Sequence, residues 1–371
     1  MRIVVNCFSI SDERTGVGHY AYQLLRSMAG LGESELILIF TRDAEARNDF
    51  MGSGIEVVEA PVLTRQSLKK IMWEHLALPG LLREREADIY FSPDYFLPLR
   101  RLPCPAIVNV HDLAFITYPR TKNRRYGIYL RLMVPLSARR ANAVIGVSDY
   151  TKEEIVRLLG VPREKVRRIY NGTDVDFGKE GLEEEIAADF SPYILYLGAL
   201  EPRKNLVRLV EAFSMLKSES NLPHRLVLAG PRKFGDGGIR SAIKRLGLVR
   251  DVIVTGYVEG KKLMGLYRGA SIFVLPSIYE GFGLPLLEAM ACGVPVAASN
   301  ATALPEVAGD AALYFNPMDV GEMASAMGRL IEDRDLRADL ARKGYERLQL
   351  FSWERCARET MDLFRAVVGV P

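Results

Sequence analysis

Two glutamates with seven residues between them, Glu280 and Glu288, bracket a glycine loop and a helix start in the segment Ser277-Ile278-Tyr279-Glu280-Gly281-Phe282-Gly283-Leu284-Pro285-Leu286-Leu287-Glu288. Carboxylates accept hydrogen bonds, so such a pair suits a ligand rich in hydroxyls, a sugar or a ribose. The partial positive charge of a helix N-terminus would hold both ionised. Pro285 fits a first helical turn and Gly293 fits the helix end. A second segment, Glu201-Pro202-Arg203-Lys204-Asn205, sets two adjacent cations at another helix start, with Asn205 as N-cap. Cations and a helix N-terminus together make a receptor for a diphosphate, although a solvated basic pair would look the same.

Two further places carry weaker signals. His111, in Val108-Asn109-Val110-His111-Asp112, ends an apolar run, whereas a solitary histidine is often only a structural hydrogen bonder. Gly16 and Gly18, in Thr15-Gly16-Val17-Gly18-His19-Tyr20, precede a helix carrying Leu24, Leu25 and Met28. Glycines there let backbone amides approach a phosphate. Six residues separate the strand from Gly16, so a dinucleotide fingerprint is a poor match, and a plain strand-to-helix turn competes. Asp174-Val175-Asp176 resembles a metal-binding pair of aspartates, but turn chemistry after Asn171-Gly172 explains it as well. Ser299-Asn300-Ala301-Thr302 follows another strand and is either one more contribution to the same edge or a capped loop.

All these residues follow apolar runs. RIVVNCF, ELILIF, ADIYFS, PAIVNV, NAVIGV, YILYLG, HRLVLAG, DVIVTG, ASIFVLP and VPVAAS are apolar throughout, as strands buried on both faces must be. Helical patterns separate them, as in 205–217, where Leu206, Leu209, Val210, Phe213 and Leu216 share one face. The expected class is α/β, with two doubly wound, Rossmann-like domains at 1–175 and 190–350 and a final helix within 351–371. Ligands of such sheets bind at the carboxyl ends of the strands, and two facing sheets would share a cleft.

Composition narrows the alternatives. With 371 residues, 49% hydrophobic and 26% charged, the chain reads as an ordinary globular protein, and a net charge of +3 argues against nucleic acid as partner. The four cysteines form no C-x2-C pair, so buried reduced thiols are expected and no zinc site. No apolar stretch is long enough to span a bilayer, and the N-terminus reads as a strand and not a signal peptide. A cytoplasmic location follows as the expectation. The charge is uneven: residues 65–175 hold 20 Lys/Arg against 11 Asp/Glu, and 113–148 contains no acid. That basic, aromatic-rich stretch could rest on an anionic membrane surface, or be a solvated helix face.

E-G-F-G-L-P-L-L-E resembles the E-x7-E signature of the retaining GT-B glycosyltransferases of family 4. The resemblance extends through T-G-V-G, V-H-D-L, N-G-T-D, E-P-R-K-N, G-Y-V and S-N-A-T-A-L-P-E-V, in order along nearly the whole chain. It implies a nucleotide-sugar donor bound by the C-terminal domain, a saccharide or lipid-linked saccharide acceptor bound by the N-terminal one, and a last helix packing back on the first domain. It implies that Arg203 and Lys204 neutralise the diphosphate, Glu280 holds donor-sugar hydroxyls and Glu288 takes the ribose. Main chain at Gly256, Tyr257 and Val258 would line the base, with Gly281, Phe282, Gly283 and Leu284 completing the donor loop. Gly16 and Gly18 would close on the phosphates and His111 would contact the transferring sugar. No metal and no cofactor are expected. One departure is that Gly198 is followed by Ala199 where many relatives carry arginine, which throws more of the neutralisation on Arg203 and Lys204.

The segments 92–99, 111–115 and Ser299–Val307 look most like bacterial mannosyltransferases that build surface polysaccharides from GDP-mannose. Other GDP- or UDP-sugars, and a non-catalytic sugar-binding protein of the same fold, remain the alternatives.

Overall fold

The computed structural model describes residues 1–10, 16–52, 54–64, 67–119, 124–173, 190–220, 222–232 and 237–369. Asp174-Val175-Asp176 lies outside them. The chain divides into two compact units, one of Met1–Leu113, Ile128–Gly172 and Trp353–Pro371, the other of Ala114–Gly127 and Thr173–Ser352.

The first unit is built on a seven-stranded sheet of β1 (Arg2–Asn6), β2 (Glu35–Thr41), β3 (Glu56–Ala60), β4 (Ile89–Ser92), β5 (Ala106–Val110), β6 (Ala143–Gly146) and β7 (Val166–Arg168). The strand order is β3-β2-β1-β4-β5-β6-β7 and every pairing is parallel. Ile3, Val4 and Val5 of β1 have no exposed surface, as a central strand covered on both faces requires. Burying each such side chain contributes about 1.5–3 kcal/mol. Helix Val17–Leu31 turns Leu24, Leu25 and Met28 into this core. The last helix, Trp353–Val368, seats Trp353 6.1 Å from the Tyr20 ring and Phe364 5.2 Å from Phe91.

The second unit repeats the plan with β8 (Tyr193–Leu197), β9 (Arg225–Ala229), β10 (Val252–Gly256), β11 (Ile272–Leu275), β12 (Val296–Ser299) and β13 (Ala312–Phe315). Their order is β10-β9-β8-β11-β12-β13, again all parallel. The chain runs outward from β8 to one side, then returns to lay β11 on the other. The carboxyl ends of β8 and β11 therefore form a switch point, where the loops diverge and leave room for a ligand. In the first unit the same place falls between β1 and β4.

All four cysteines are free thiols; Cys7 and Cys356 are buried, and Cys104 and Cys292 are half-buried. Among the described residues no helix is long and apolar enough to cross a membrane.

Candidate active site

The second unit brings Arg203, Lys204 and Glu280 together at its switch point. After β8 the chain makes a short 3-10 turn, Pro202–Lys204, closed by Asn205 at φ 63°. Asparagine tolerates this left-handed conformation better than most residues because its short side chain finds partners locally. Asn205 occupies the N-cap position of helix Leu206–Glu219 but makes no capping bond. Its Nδ2 instead donates to the carbonyls of Pro276, at 3.1 Å, and Pro317, at 2.5 Å. The amide thus ties the loop after β8 to the loop after β11. The backbone bond from Ile278 N to Arg203 O, 2.9 Å, adds a second tie.

On this frame Glu280 receives three side chains. Arg203 Nη1 donates to Oε2 at 3.1 Å, Lys204 Nζ donates to Oε1, and Ser277 Oγ donates to Oε1 at 2.8 Å. Arg203 is fixed further by Glu201, whose carboxylate lies 2.6 Å from Nε, and by the Tyr279 carbonyl, 3.0 Å from Nη1. Thr302 Oγ1 accepts the Glu280 amide at 3.0 Å. All four charged groups are buried or nearly so. Burial alone would raise the Glu280 carboxyl, but the Lys204 and Arg203 cations outweigh it and hold the group down at about 2. Burial, reinforced by Arg203, lowers the Lys204 ammonium from its ordinary value against the pull of Glu280. We regard the pair as ionised, since two cations and two carboxylates balance within the cluster. The ionisation of Glu280 thus has neighbouring cations as its cause, where the sequence suggests a helix dipole.

Glu288 stands apart in its bonding. It lies on helix Leu284–Ala291 and accepts the Tyr267 hydroxyl at 2.7 Å. Between the two glutamates, Gly281 and Phe282 are buried, and Gly283 adopts φ 105°, where an added Cβ would lie 2.7 Å from Leu304. Leu284 opens the helix and Pro285 sits in its first turn. Gly256 ends β10, with Tyr257 and Val258 half-buried behind it, at the same carboxyl edge but two strands away from β8. Ala199 uses its carbonyl to accept the Tyr196 hydroxyl at 3.0 Å.

In the first unit, His111 follows β5. Its Nε2 lies 2.8 Å from the Pro93 carbonyl. A carbonyl only accepts, so the proton sits on Nε2; Asn109 Nδ2 stands 3.0 Å from Nε2 and 3.3 Å from Nδ1, and of the two only Nδ1 keeps a lone pair to accept from it. Burial lowers the imidazole from its ordinary value, more than the Pro93 carbonyl, Asp94 and Asp112 raise it. Tyr20 packs edge-on at 4.8 Å and Tyr95 at 5.9 Å, so the ring is a neutral, oriented group. Asn109 is fully buried with Oδ1 unbonded. Gly16 caps helix Val17–Leu31 at φ 55° with open space about it, whereas a Cβ on Gly18 would stand 2.5 Å from the Ser9 carbonyl. Close packing on the turn after β1 is thus enough to require glycine at 18.

Sequence reasoning does not single out Glu201, Ser277, Thr302, Tyr267 or Asn109. Glu201, Ser277 and Asn109 carry a signal, since each lies within a motif another member of which it contacts. Among the described residues no group of three His, Cys, Asp or Glu could hold a metal ion.

Comparison with known proteins places this geometry in a family. Residues 14–177 match the model of Glycosyltransferase Family 4 and residues 181–347 that of Glycosyl transferases group 1. The O-antigen chain mannosyltransferase B of Escherichia coli is 30% identical over 98% of this chain and 100% of its own length. Sucrose-phosphate synthase from Thermosynechococcus elongatus superposes with a TM-score of 0.80 at 22% identity, over 100% of this chain and 99% of that one. Anabaena HepE, solved in complex with UDP and glucose, gives 0.74 at 18% identity over 99% and 100% of the two chains. Two parallel sheets of this kind are the GT-B fold, and with both family models filled in order along the sequence the chain belongs to the family 4 glycosyltransferases.

Proposed function

We propose that the chain is a retaining hexosyltransferase that moves mannose from GDP-mannose to a saccharide or lipid-linked saccharide acceptor, during synthesis of a bacterial surface polysaccharide. The observation that carries this reading is the buried Glu201–Arg203–Glu280–Lys204 cluster at the switch point of the second unit. Breaking the bond from the anomeric carbon to phosphate builds negative charge on the departing diphosphate. Cations already fixed in place stabilise that charge without reorganising, and one such contact is worth about 3–4 kcal/mol. Glu280, held ionised, accepts from donor-sugar hydroxyls with whatever lone-pair capacity the cations leave, and Glu288 does the same for the ribose. Retention follows if the acceptor attacks from the face the phosphate leaves, with a phosphate oxygen taking the acceptor's proton. No metal is needed for that step, because Arg203 and Lys204 supply the positive charge.

Mannose is favoured by the E. coli relative's name, and UDP-sugars by the HepE structure with UDP and glucose. A panel of GDP-mannose, GDP-fucose, UDP-glucose and UDP-galactose, each scored for release of nucleoside diphosphate in EDTA, decides between them. Turnover of GDP-mannose alone supports the reading. Turnover of a UDP-sugar would reassign the donor, and activity only after adding a divalent cation would refute metal independence.

A further inference from the structure

Three non-glycine residues hold a positive φ among the described residues, and two of them, Asn205 and Thr302, flank one loop of the second unit. β11 lies between β8 and β12 in the sheet, and the loop that follows it carries Tyr279 and Glu280. On the β8 side Asn205, at φ 63°, is bonded to the start of that loop through the Pro276 carbonyl. On the β12 side stands Thr302, at φ 59°. A β-branched side chain crowds its own backbone in this region, so threonine is a less natural occupant than asparagine. Such a conformation persists only where the surroundings impose it, and residues of this kind gather at functional sites.

The loop after β12 is itself well held. Asn300 N donates to the Phe315 carbonyl at 2.9 Å, and Ala301 N donates to the buried Ser299 Oγ at 3.1 Å. Leu304 lies against Gly283 and leaves no room there for a Cβ. From this support Thr302 Oγ1 accepts the Glu280 amide at 3.0 Å. The other end of the same peptide, the Tyr279 carbonyl, accepts Arg203 Nη1 at 3.0 Å. A peptide unit is rigid and planar, so its N–H and C=O turn together. Thr302 and Arg203 thus grip opposite ends of one plane. Nη1 also donates to the Glu280 carboxylate at 3.1 Å, so the peptide that Thr302 fixes carries both of these acceptors of Nη1.

We propose that Thr302 is a positioning residue for the diphosphate site: its hydroxyl fixes the Tyr279–Glu280 peptide and, through it, the place of the Arg203 guanidinium. The proposal rests on the reading of Arg203 as a diphosphate contact and adds the residue that sets its direction. Without the hydroxyl the plane turns about its flanking bonds, the Tyr279 carbonyl swings from Nη1, and the loosening reaches Glu280 as well. Part of the preorganisation that makes a fixed cation effective is then lost. A glycine would hold the same φ without strain but carries no hydroxyl, which gives the strained threonine its reason.

Titration calorimetry of GDP and UDP in EDTA, with the full chain and its variants at 302, tests the proposal. Thr302→Val, which keeps the branched shape and lacks the hydroxyl, should weaken binding of the preferred diphosphate by about tenfold. Thr302→Gly, free of strain at this φ, should bind as weakly as Thr302→Val. Thr302→Ser restores the hydroxyl and should bind as wild type does, so affinity sorts by the hydroxyl whatever the order of melting temperatures. Arg203→Lys keeps a cation but not the guanidinium that bonds Glu201, Tyr279 and Glu280 at once. On that background Thr302→Val should change affinity by about twofold or less, whereas a merely structural role would add its loss on either background. Wild-type binding by Thr302→Val or Thr302→Gly, a serine variant as weak as valine, or an equal loss on both backgrounds overturns the proposal and leaves the diphosphate site standing. Binding of neither GDP nor UDP by wild type would overturn both.

Discussion

Arg203 and Glu280 lie 77 positions apart in the chain and 3.1 Å apart in space, each at the carboxyl end of a strand that flanks the switch point. Neither cation at this point waits unpaired for a ligand. Arg203 is shared by Glu201 and Glu280, and Lys204 is bound by Glu280. The carboxylates keep the cations desolvated and in position, which is the preorganisation that charge stabilisation in a transition state requires.

Removing Glu280 leaves two buried cations undercompensated. Breaking a buried pair in this way costs about 3–5 kcal/mol. Glu280→Ala should therefore lower the melting temperature, and a nucleoside diphosphate should restore more of it than the same ligand adds to wild type, because its charge replaces the missing carboxylate. Calorimetry with and without GDP checks this. An unchanged melting temperature would mean that the cluster carries little stability.

The acid side of stability should report the same group. A carboxyl lowered from 4.5 to about 2 by Lys204 and Arg203 contributes stability that is present above pH 4.5 and lost as the pH falls toward 2, in total a few kcal/mol. Glu280→Gln should flatten that acid limb in a pH series of chemical denaturations. The variant would need to show the wild-type slope for the ion-pair assignment to fail.

Glu74 should act in the opposite sense. Burial, opposed by the Asn6 hydrogen bond and supported by Asp94, raises its carboxyl to about 7. A raised value gives stability that is full below pH 4.5 and declines as the pH rises through 7. Glu74→Gln should be more stable than wild type at pH 8 and lose that advantage by pH 4.5. Equal stability at both pH values would place the carboxyl in the ordinary range.

Asn205 separates backbone shape from hydrogen bonding. Asn205→Gly keeps access to φ 63° but forfeits the bonds to Pro276 and Pro317, whereas Asn205→Ala loses both. Each unmade bond to a buried carbonyl costs about 1–3 kcal/mol and the left-handed residue about 1 kcal/mol more. Denaturation should rank wild type above Gly and Gly above Ala. Equal Gly and Ala variants would argue against a backbone contribution.

The strands named from the sequence, β1, β2, β4, β5, β6 and β8 to β12, are mostly interior strands whose two-sided burial demands unbroken apolar runs. Those not named, β3, β7 and β13, are edge strands. β3, Glu56-Val57-Val58-Glu59-Ala60, is mostly half-buried, so its sequence mixes charge with valine and resembles a loop. Within the site, the motifs disclosed Arg203, Lys204 and Glu280, because each motif is local. Their mutual bonding is a property of the strand order and could not be read from spacing. The N-cap position of Asn205 was legible, whereas its side chain's turn toward two proline carbonyls depends on the loop after β11 and on Pro317, both distant in sequence.

The central claim is that this cluster binds the diphosphate of a nucleotide-sugar. Titration calorimetry of GDP in EDTA with wild type, Lys204→Ala and Arg203→Ala tests it most directly. Saturable binding by wild type, weakened by about tenfold or more in each variant, is the predicted result. Equal affinity in all three proteins, or no binding of GDP or UDP by wild type, would contradict it.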